Sequence, residues 1–273
     1  MKMRMAFATC VELGLSCIEE IYRIGGELDL LITLKDEKAK NKSGRVYLDE
    51  IASKHASPLL KINNINDHEV IEALKTHQID WLFIIGWSQI AKKELLETPT
   101  YGCIGMHPTL LPVGRGRAAI PWAILKGLKE TGVTMFKLDE GVDTGEIIGQ
   151  GVIRLNEYIT ATDLYQKVDD MHITLISKYW DDIVNNNITL TKQNEAEATK
   201  WPGRKPEDGE ILSSMSMDEA DKLVRAATHP YPGAFYKEGK RTIRIWSART
   251  DTNEGEIKLS DGYLTPIDYE IEG

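Results

Sequence analysis

The 273-residue chain is short of cysteine, of basic charge and of long apolar runs, and each shortage argues against a class of protein. Its three cysteines, Cys10, Cys17 and Cys103, form neither an even framework nor a closely spaced metal-type pair, so buried thiols are expected rather than a disulfide scaffold. No run of roughly 18 apolar residues is present, so no membrane span is expected. The apolar stretch at the N-terminus is cut by Thr9, Cys10 and Glu12, too early for a signal-peptide core, which makes the cytoplasm the expected compartment. Thirty-three Lys and Arg against 42 Asp and Glu give a formal charge of −9, which opposes a surface that must hold a long polyanion. No nucleic-acid partner is therefore expected, whereas a small substrate with one or two phosphates stays compatible. The six histidines never fall into a ligand spacing with cysteine or carboxylates, so no metal is expected. Internal repeats and low-complexity tracts are also missing.

What is present is a change of texture along the chain. Short apolar runs at 3–8, 28–33 and 80–85 suit buried parallel strands, and helix-spaced apolar residues such as Leu13, Ile18 and Ile21, then Val70, Ile71 and Leu74, lie between them. This alternation predicts a doubly wound α/β domain, whose ligand site should lie at the carboxyl ends of its strands. Residues 131–155 read as two strands around the turn Asp139-Glu140-Gly141-Val142-Asp143-Thr144-Gly145, and a helix is expected from about Ala161 to Trp180. Polar residues with Pro202, Gly203 and Pro206 mark a linker, and beyond it a helix over 217–227 precedes short period-2 strands of a small OB-like antiparallel β-barrel. The expected division is a Rossmann-like domain over 1–184 with a mostly parallel twisted sheet, a linker over 185–206 and a β-rich domain over 207–273.

The chemistry concentrates in His107-Pro108-Thr109-Leu110-Leu111-Pro112, Arg115-Gly116-Arg117-Ala118-Ala119-Ile120-Pro121-Trp122 and Asp143-Thr144-Gly145. Singly these residues are ambiguous, since a His before Pro is often a surface residue and an Asp in a Gly-rich loop is often a turn former. Together they resemble the folate-dependent formyltransferase superfamily, whose hallmark is an HPSLLP-like segment followed by a DxG turn. The likeness is clearest from about Trp81 to Gln150, and it returns at 202–209 and 223–235. It implies transfer of a formyl group from N10-formyltetrahydrofolate to an amine, with His107 and Asp143 catalytic. Such a transfer needs a neutral amine and a stabilised oxyanion; an imidazole at His107 suits the second task, and a carboxylate at Asp143 can orient it and help remove the amine proton. By the same resemblance, the folate is expected at Ile85, Gly86, Trp87, Ser88 and Ile90 and at Leu138, Asp139, Gly141 and Asp143, largely through main-chain groups. Trp87 reads equally well as core packing.

One departure is plain. The family usually carries an Asn two residues before the His, and this chain has Gly105. Water, the main chain, Gln89 or Thr134 is expected to take the amide's place; a homologue that binds without turnover is the other reading. The second arginine of Arg115-Gly116-Arg117 makes this segment more like the RGRAPxPW of nucleotide-sugar N-formyltransferases than the RGAAPIQW of tRNA formyltransferases. Two guanidinium groups beside Gly116 can grip a diphosphate, or an arginine there can pin the loop to a carboxylate. Arg204 and Arg225, in the segments resembling the family's second domain, complete the expected acceptor set. The resemblance thus implies a nucleotide-linked amino sugar as acceptor, with methionyl-tRNA as the alternative. The oligomeric state, monomer or homodimer, is left open.

Overall fold

The computed structural model describes residues 2–38, 44–239 and 241–272 and divides the chain into two compact units. The first takes Met1–Arg115, Gly132–Val152 and Val168–Lys200; the second takes Gly116–Thr131, Ile153–Lys167 and Trp201–Gly273.

The first unit alternates strand and helix as the apolar spacing requires. β1 (Met5–Ala8), α1 (Glu12–Arg23), β2 (Leu30–Leu34), α2 (Asp49–Lys54), β3 (Leu59–Ile62), α3 (His68–Thr76), β4 (Trp81–Ile84), α4 (Lys93–Glu97) and β5 (Gly102–His107) follow in order. The two-residue β6 (Arg115–Gly116) and α5 (Ala119–Leu125), the latter in the second unit, precede β7 (Glu130–Lys137), β8 (Ile147–Arg154) and the long α6 (Ala161–Val184), which joins the first unit from Val168 on. The sheet order is β3-β2-β1-β4-β5-β7-β8, parallel across the first five strands and antiparallel where β5 meets β7. This is the doubly wound, mostly parallel sheet that the sequence pattern calls for.

Alternation along the strands builds its two buried faces. Ala6, Ala8, Leu30, Ile32, Leu82 and Ile84 pack with Val70, Ile71 and Leu74 of α3 and with Leu95 and Leu96 of α4. The intervening Phe7 and Phe83 stack at 5.5 Å, and Phe83 meets Trp180 of α6 at 6.2 Å. Each Leu, Ile, Val or Phe among them removed from water stabilises the fold by about 1.5–3 kcal/mol. All three cysteines are buried, and none of them forms a disulfide. Burial pushes the Cys103 thiol up to about 12, so it is inert as a nucleophile.

The order of strand addition reverses between β1 and β4: β2 and β3 are added on one side, β4 and β5 on the other. In open α/β sheets, the carboxyl ends of the strands near such a switch are where ligands bind. His107 is the last residue of β5, at that end.

In the second unit, the two-residue β9 (Lys200–Trp201) is followed by α7 (Met217–Ala227), β10 (Ala234–Glu238), β11 (Arg241–Asp251), β12 (Ile257–Lys258) and β13 (Tyr263–Glu272). Ser216 caps α7 by accepting from the Glu219 N–H, and the Glu219 carboxylate returns the bond to the Ser216 N–H. Two otherwise orphaned donors are satisfied, which fixes where the helix starts. The strands form an antiparallel sheet in the order β10-β11-β13-β12, and Ala220, Leu223 and Val224 of α7 pack against Ala234, Ile245 and Leu264. No helix among the described residues is long and apolar enough to cross a membrane.

Candidate active site

β5 is built to deliver one side chain. At Gly105 it is paired on both sides, with Ile84 of β4 and Phe136 of β7, and two residues on His107 lies opposite Thr134 of β7, so its backbone position is set by that pairing. The ring is buried, with Nε2 at 2.8 Å from the Gly114 carbonyl. A carbonyl only accepts, so Nε2 carries a proton, and Nδ1 is the nitrogen turned toward the Asp143 carboxylate, whose Oδ2 lies 3.6 Å away. That separation suits an ion pair but is too long for a direct hydrogen bond. Asp143 itself sits at φ +56, a left-handed conformation that an Asp tolerates better than most residues.

The loop after His107 is held by one buried hydroxyl. Thr134 Oγ1 donates to Thr109 O at 2.7 Å and accepts from Leu111 N at 3.0 Å and from Gln150 Nε2 at 2.8 Å. Gln150 Nε2 also reaches Leu111 O. Thr134 is therefore occupied in clamping residues 109–111. Gln89 is occupied too: it accepts from Ile65 N and the Trp87 indole N–H and donates to Asn63 O. Neither side chain expected as a substitute for the missing amide is directed to that task. The space itself is filled, because a Cβ on Gly105 would stand 2.7 Å from Leu138 Cδ2 and 3.2 Å from its Cγ. A leucine side chain therefore stands where the first carbon of an asparagine would lie.

Of the residues expected to hold a folate, Ile85 is fully buried and donates its N–H to Ala8 O, and Gly86 turns the chain at φ +66, where a Cβ would strike Val11 at 2.2 Å. Trp87 packs half-buried against Cys10 and Leu34, while Ser88 and Ile90 are exposed. Across the site, the Asp139 carboxylate accepts from Gly141 N and Thr144 Oγ1, which shapes the turn that carries Asp143. Leu138 donates its N–H to Cys103 O. Ile90 and Val142, one on each of the two segments, are large apolar side chains left more than half exposed.

The arginines part company. Arg115 is buried, its Nε and Nη2 donating to Gln193 Oε1 at 3.0 and 2.7 Å and its Nη1 and Nη2 donating to Glu195 at 2.9 and 2.6 Å. The bonds with Glu195 hold the Arg115 guanidinium above its ordinary range and the Glu195 carboxyl below its own. Of the two readings for Arg115, this geometry is the loop-pinning one. In the second unit Gly116 precedes an exposed Arg117, whose N–H donates to Trp201 O. Arg204 lies over the Trp122 ring at 5.3 Å and donates to Asp208 O. Arg225 pairs with Asp221 and donates to Ile159 O.

Sequence reasoning missed the strap that joins these parts. Within the polar stretch expected as a linker, Thr191 bridges Ile147, Gln193 reaches the Asp143 and Gly145 carbonyls, and Thr199 binds Gly114 N through its hydroxyl and Arg115 N through its carbonyl. It also missed His172 on α6. Fully buried, with Nδ1 donating to Val168 O, His172 is pushed down to about 4, mainly by burial and further by His107.

This arrangement, a histidine at a strand end facing a carboxylate in a glycine-flanked turn, coincides with a match to known proteins. Residues 22–179 match the formyl transferase model, and residues 204–268 match the formyl transferase C-terminal domain. The chain belongs to the formyl transferase family. A methionyl-tRNA formyltransferase of Agathobacter rectalis is 31% identical over 271 residues, 98% of this chain and 85% of that one. Among solved structures, the Helicobacter canadensis N-formyltransferase complexed with folinic acid and dTDP-3-aminofucose aligns over 98% of this chain and 100% of its own with a TM-score of 0.73 at 22% identity. The methionyl-tRNA formyltransferase of Clostridium thermocellum aligns over 99% of both chains with a TM-score of 0.66 at 22% identity.

Proposed function

We propose that the protein moves a formyl group from N10-formyltetrahydrofolate to the amine of a nucleotide-linked amino sugar, in the cytoplasm. Formyl transfer is supported by the pairing of a buried His107, donating through Nε2 to Gly114, with Asp143 at 3.6 Å from Nδ1. In this proposal the folate supplies the electrophilic formyl carbon. His107 presents a proton at Nδ1 to the charge that develops on the formyl oxygen, the Asp143 carboxylate accepts the proton that the attacking amine loses, and that proton passes to N10 as the bond between N10 and the formyl carbon breaks, so that tetrahydrofolate leaves. Ile90 and Val142 provide the exposed apolar surface that a flat heterocycle needs.

The observation that carries the sugar acceptor is charge. A net charge of −9 disfavours a long polyanion, while the exposed Arg117 and the half-buried Arg204 can meet one diphosphate. Methionyl-tRNA is the second reading, favoured by the 31% identical relative that spans 98% of this chain. Incubation with N10-formyltetrahydrofolate and either a panel of amino-sugar nucleotides or methionyl-tRNA, with the acceptor's mass as readout, separates the two. Gain of one formyl group on a sugar nucleotide is the expected result; gain on methionyl-tRNA alone overturns the acceptor, and gain on neither overturns the activity.

A further inference from the structure

The Asp143 turn has an unusual attachment. Its backbone is left-handed at Asp143, and its two carbonyls, Asp143 O and Gly145 O, both accept from a single donor, Gln193 Nε2, at 2.8 Å each. Those two bonds fix the amide's orientation. They turn Oε1 toward Arg115, where it accepts twice, and Arg115 is in turn held by both oxygens of Glu195. Every polar atom of the Gln193 side chain is thereby used. The same segment, through Thr199, holds Gly114, whose carbonyl receives the His107 Nε2 proton. One strap therefore reaches both partners of the 3.6 Å His107–Asp143 pair, each through a backbone group.

We infer that Gln193 is a positioning residue for Asp143: its amide, locked by Arg115 and Glu195, holds the Asp143 turn in the left-handed conformation that points the carboxylate at His107. The inference rests on the proposed roles of His107 and Asp143. Only an amide satisfies both ends, because the turn offers two acceptors and Arg115 offers only donors. Glutamate at 193 would keep the contact with Arg115 while setting an oxygen against two carbonyls.

Two substitutions test this. Gln193→Glu retains the contact with Arg115 but loses both bonds to the turn, so a modest fall in Tm with the fold intact is expected. With the acceptor identified by mass, its kcat should fall about 10- to 100-fold, the usual size for loss of a side chain that orients a reacting one, with the folate KM changed less than about threefold. Gln193→Ala should show the same loss in the wild-type background and little further loss in Asp143→Ala, because a residue acting through Asp143 has nothing left to position. A second readout needs no acceptor: the 15N resonance of His107 Nδ1 should move in Gln193→Glu in the direction it moves in Asp143→Ala, and should not move further in the double variant. A wild-type kcat and resonance in Gln193→Glu, or a Gln193→Ala loss that persists undiminished without Asp143, overturns the inference alone. Full turnover in Asp143→Ala overturns the catalytic reading beneath it and the inference with it.

Discussion

Installing asparagine at Gly105 tests how the flank of His107 is filled. A Cβ at this position lies 2.7 Å from Leu138 Cδ2, 3.2 Å from Cγ and 3.5 Å from Cδ1, so Asn cannot be accommodated until the leucine turns away. Backbone strain adds nothing, because Gly105 lies within regular pairing to β4 and is not among the positive-φ glycines. Overpacking of this kind costs about 1–3 kcal/mol. Leu138 is only partly buried and can rotate, which puts the cost at the low end. Replacing a strand glycine returns about 0.5–1 kcal/mol of conformational entropy. The net expectation for Gly105→Asn is at most about 0.5 kcal/mol of destabilisation, a fall in Tm of no more than about 2 °C, measured by thermal and urea unfolding. Leu138→Ala should remove the clash, so the double variant should be more stable than the sum of the single effects by at least about 0.5 kcal/mol. With the leucine gone, the amide stands beside His107, and kcat should equal or exceed that of Leu138→Ala alone. Strict additivity in unfolding free energy would show that Leu138 does not occupy the position, and the packing account of Gly105 would be wrong.

Acid stability should be set partly by His172. Its pKa in the fold is about 4 against an ordinary 6.5, so the unfolded chain binds more protons between those values, and stability is lost as pH falls through that window. The difference corresponds to about 3 kcal/mol, complete below pH 4, and His172→Leu should flatten the unfolding free energy over that range; an unchanged slope contradicts it. The two neighbouring arginines should separate by assay. Arg115→Ala should lower stability by about 1–3 kcal/mol through the lost charged hydrogen bonds to Gln193 and Glu195, whereas Arg117→Ala should leave Tm unchanged and raise KM for a diphosphate-linked acceptor. The reverse pattern would exchange their roles.

Legibility followed burial. Continuous apolar runs marked β1, β2 and β4, and alternation marked β10, β11 and β13, because those side chains answer to a core. β3 went unread: Leu59-Leu60-Lys61-Ile62 lies at the edge of the sheet and is mostly half-buried, so its composition is mixed. β5 was seen as a site and not as a strand, since Gly102 and Gly105 dilute its apolar run. His107 and Asp143 were found because they fall in a recognisable local pattern. Gln193 and Thr199 were not, because they act on backbone carbonyls and amides far away in sequence, and no periodicity records which carbonyl a polar side chain will meet. The role of Leu138 was equally hidden, since the space beside Gly105 depends on a neighbouring strand.

The central claim is that His107 and Asp143 together perform formyl transfer. Its most direct test is turnover of N10-formyltetrahydrofolate with the acceptor identified by mass, compared among wild type, His107→Ala and Asp143→Ala, with unfolding curves confirming intact folds. The account predicts that each substitution lowers kcat by at least about 100-fold, the scale for loss of an oxyanion donor or general base. Wild-type-like turnover in either folded variant would contradict it.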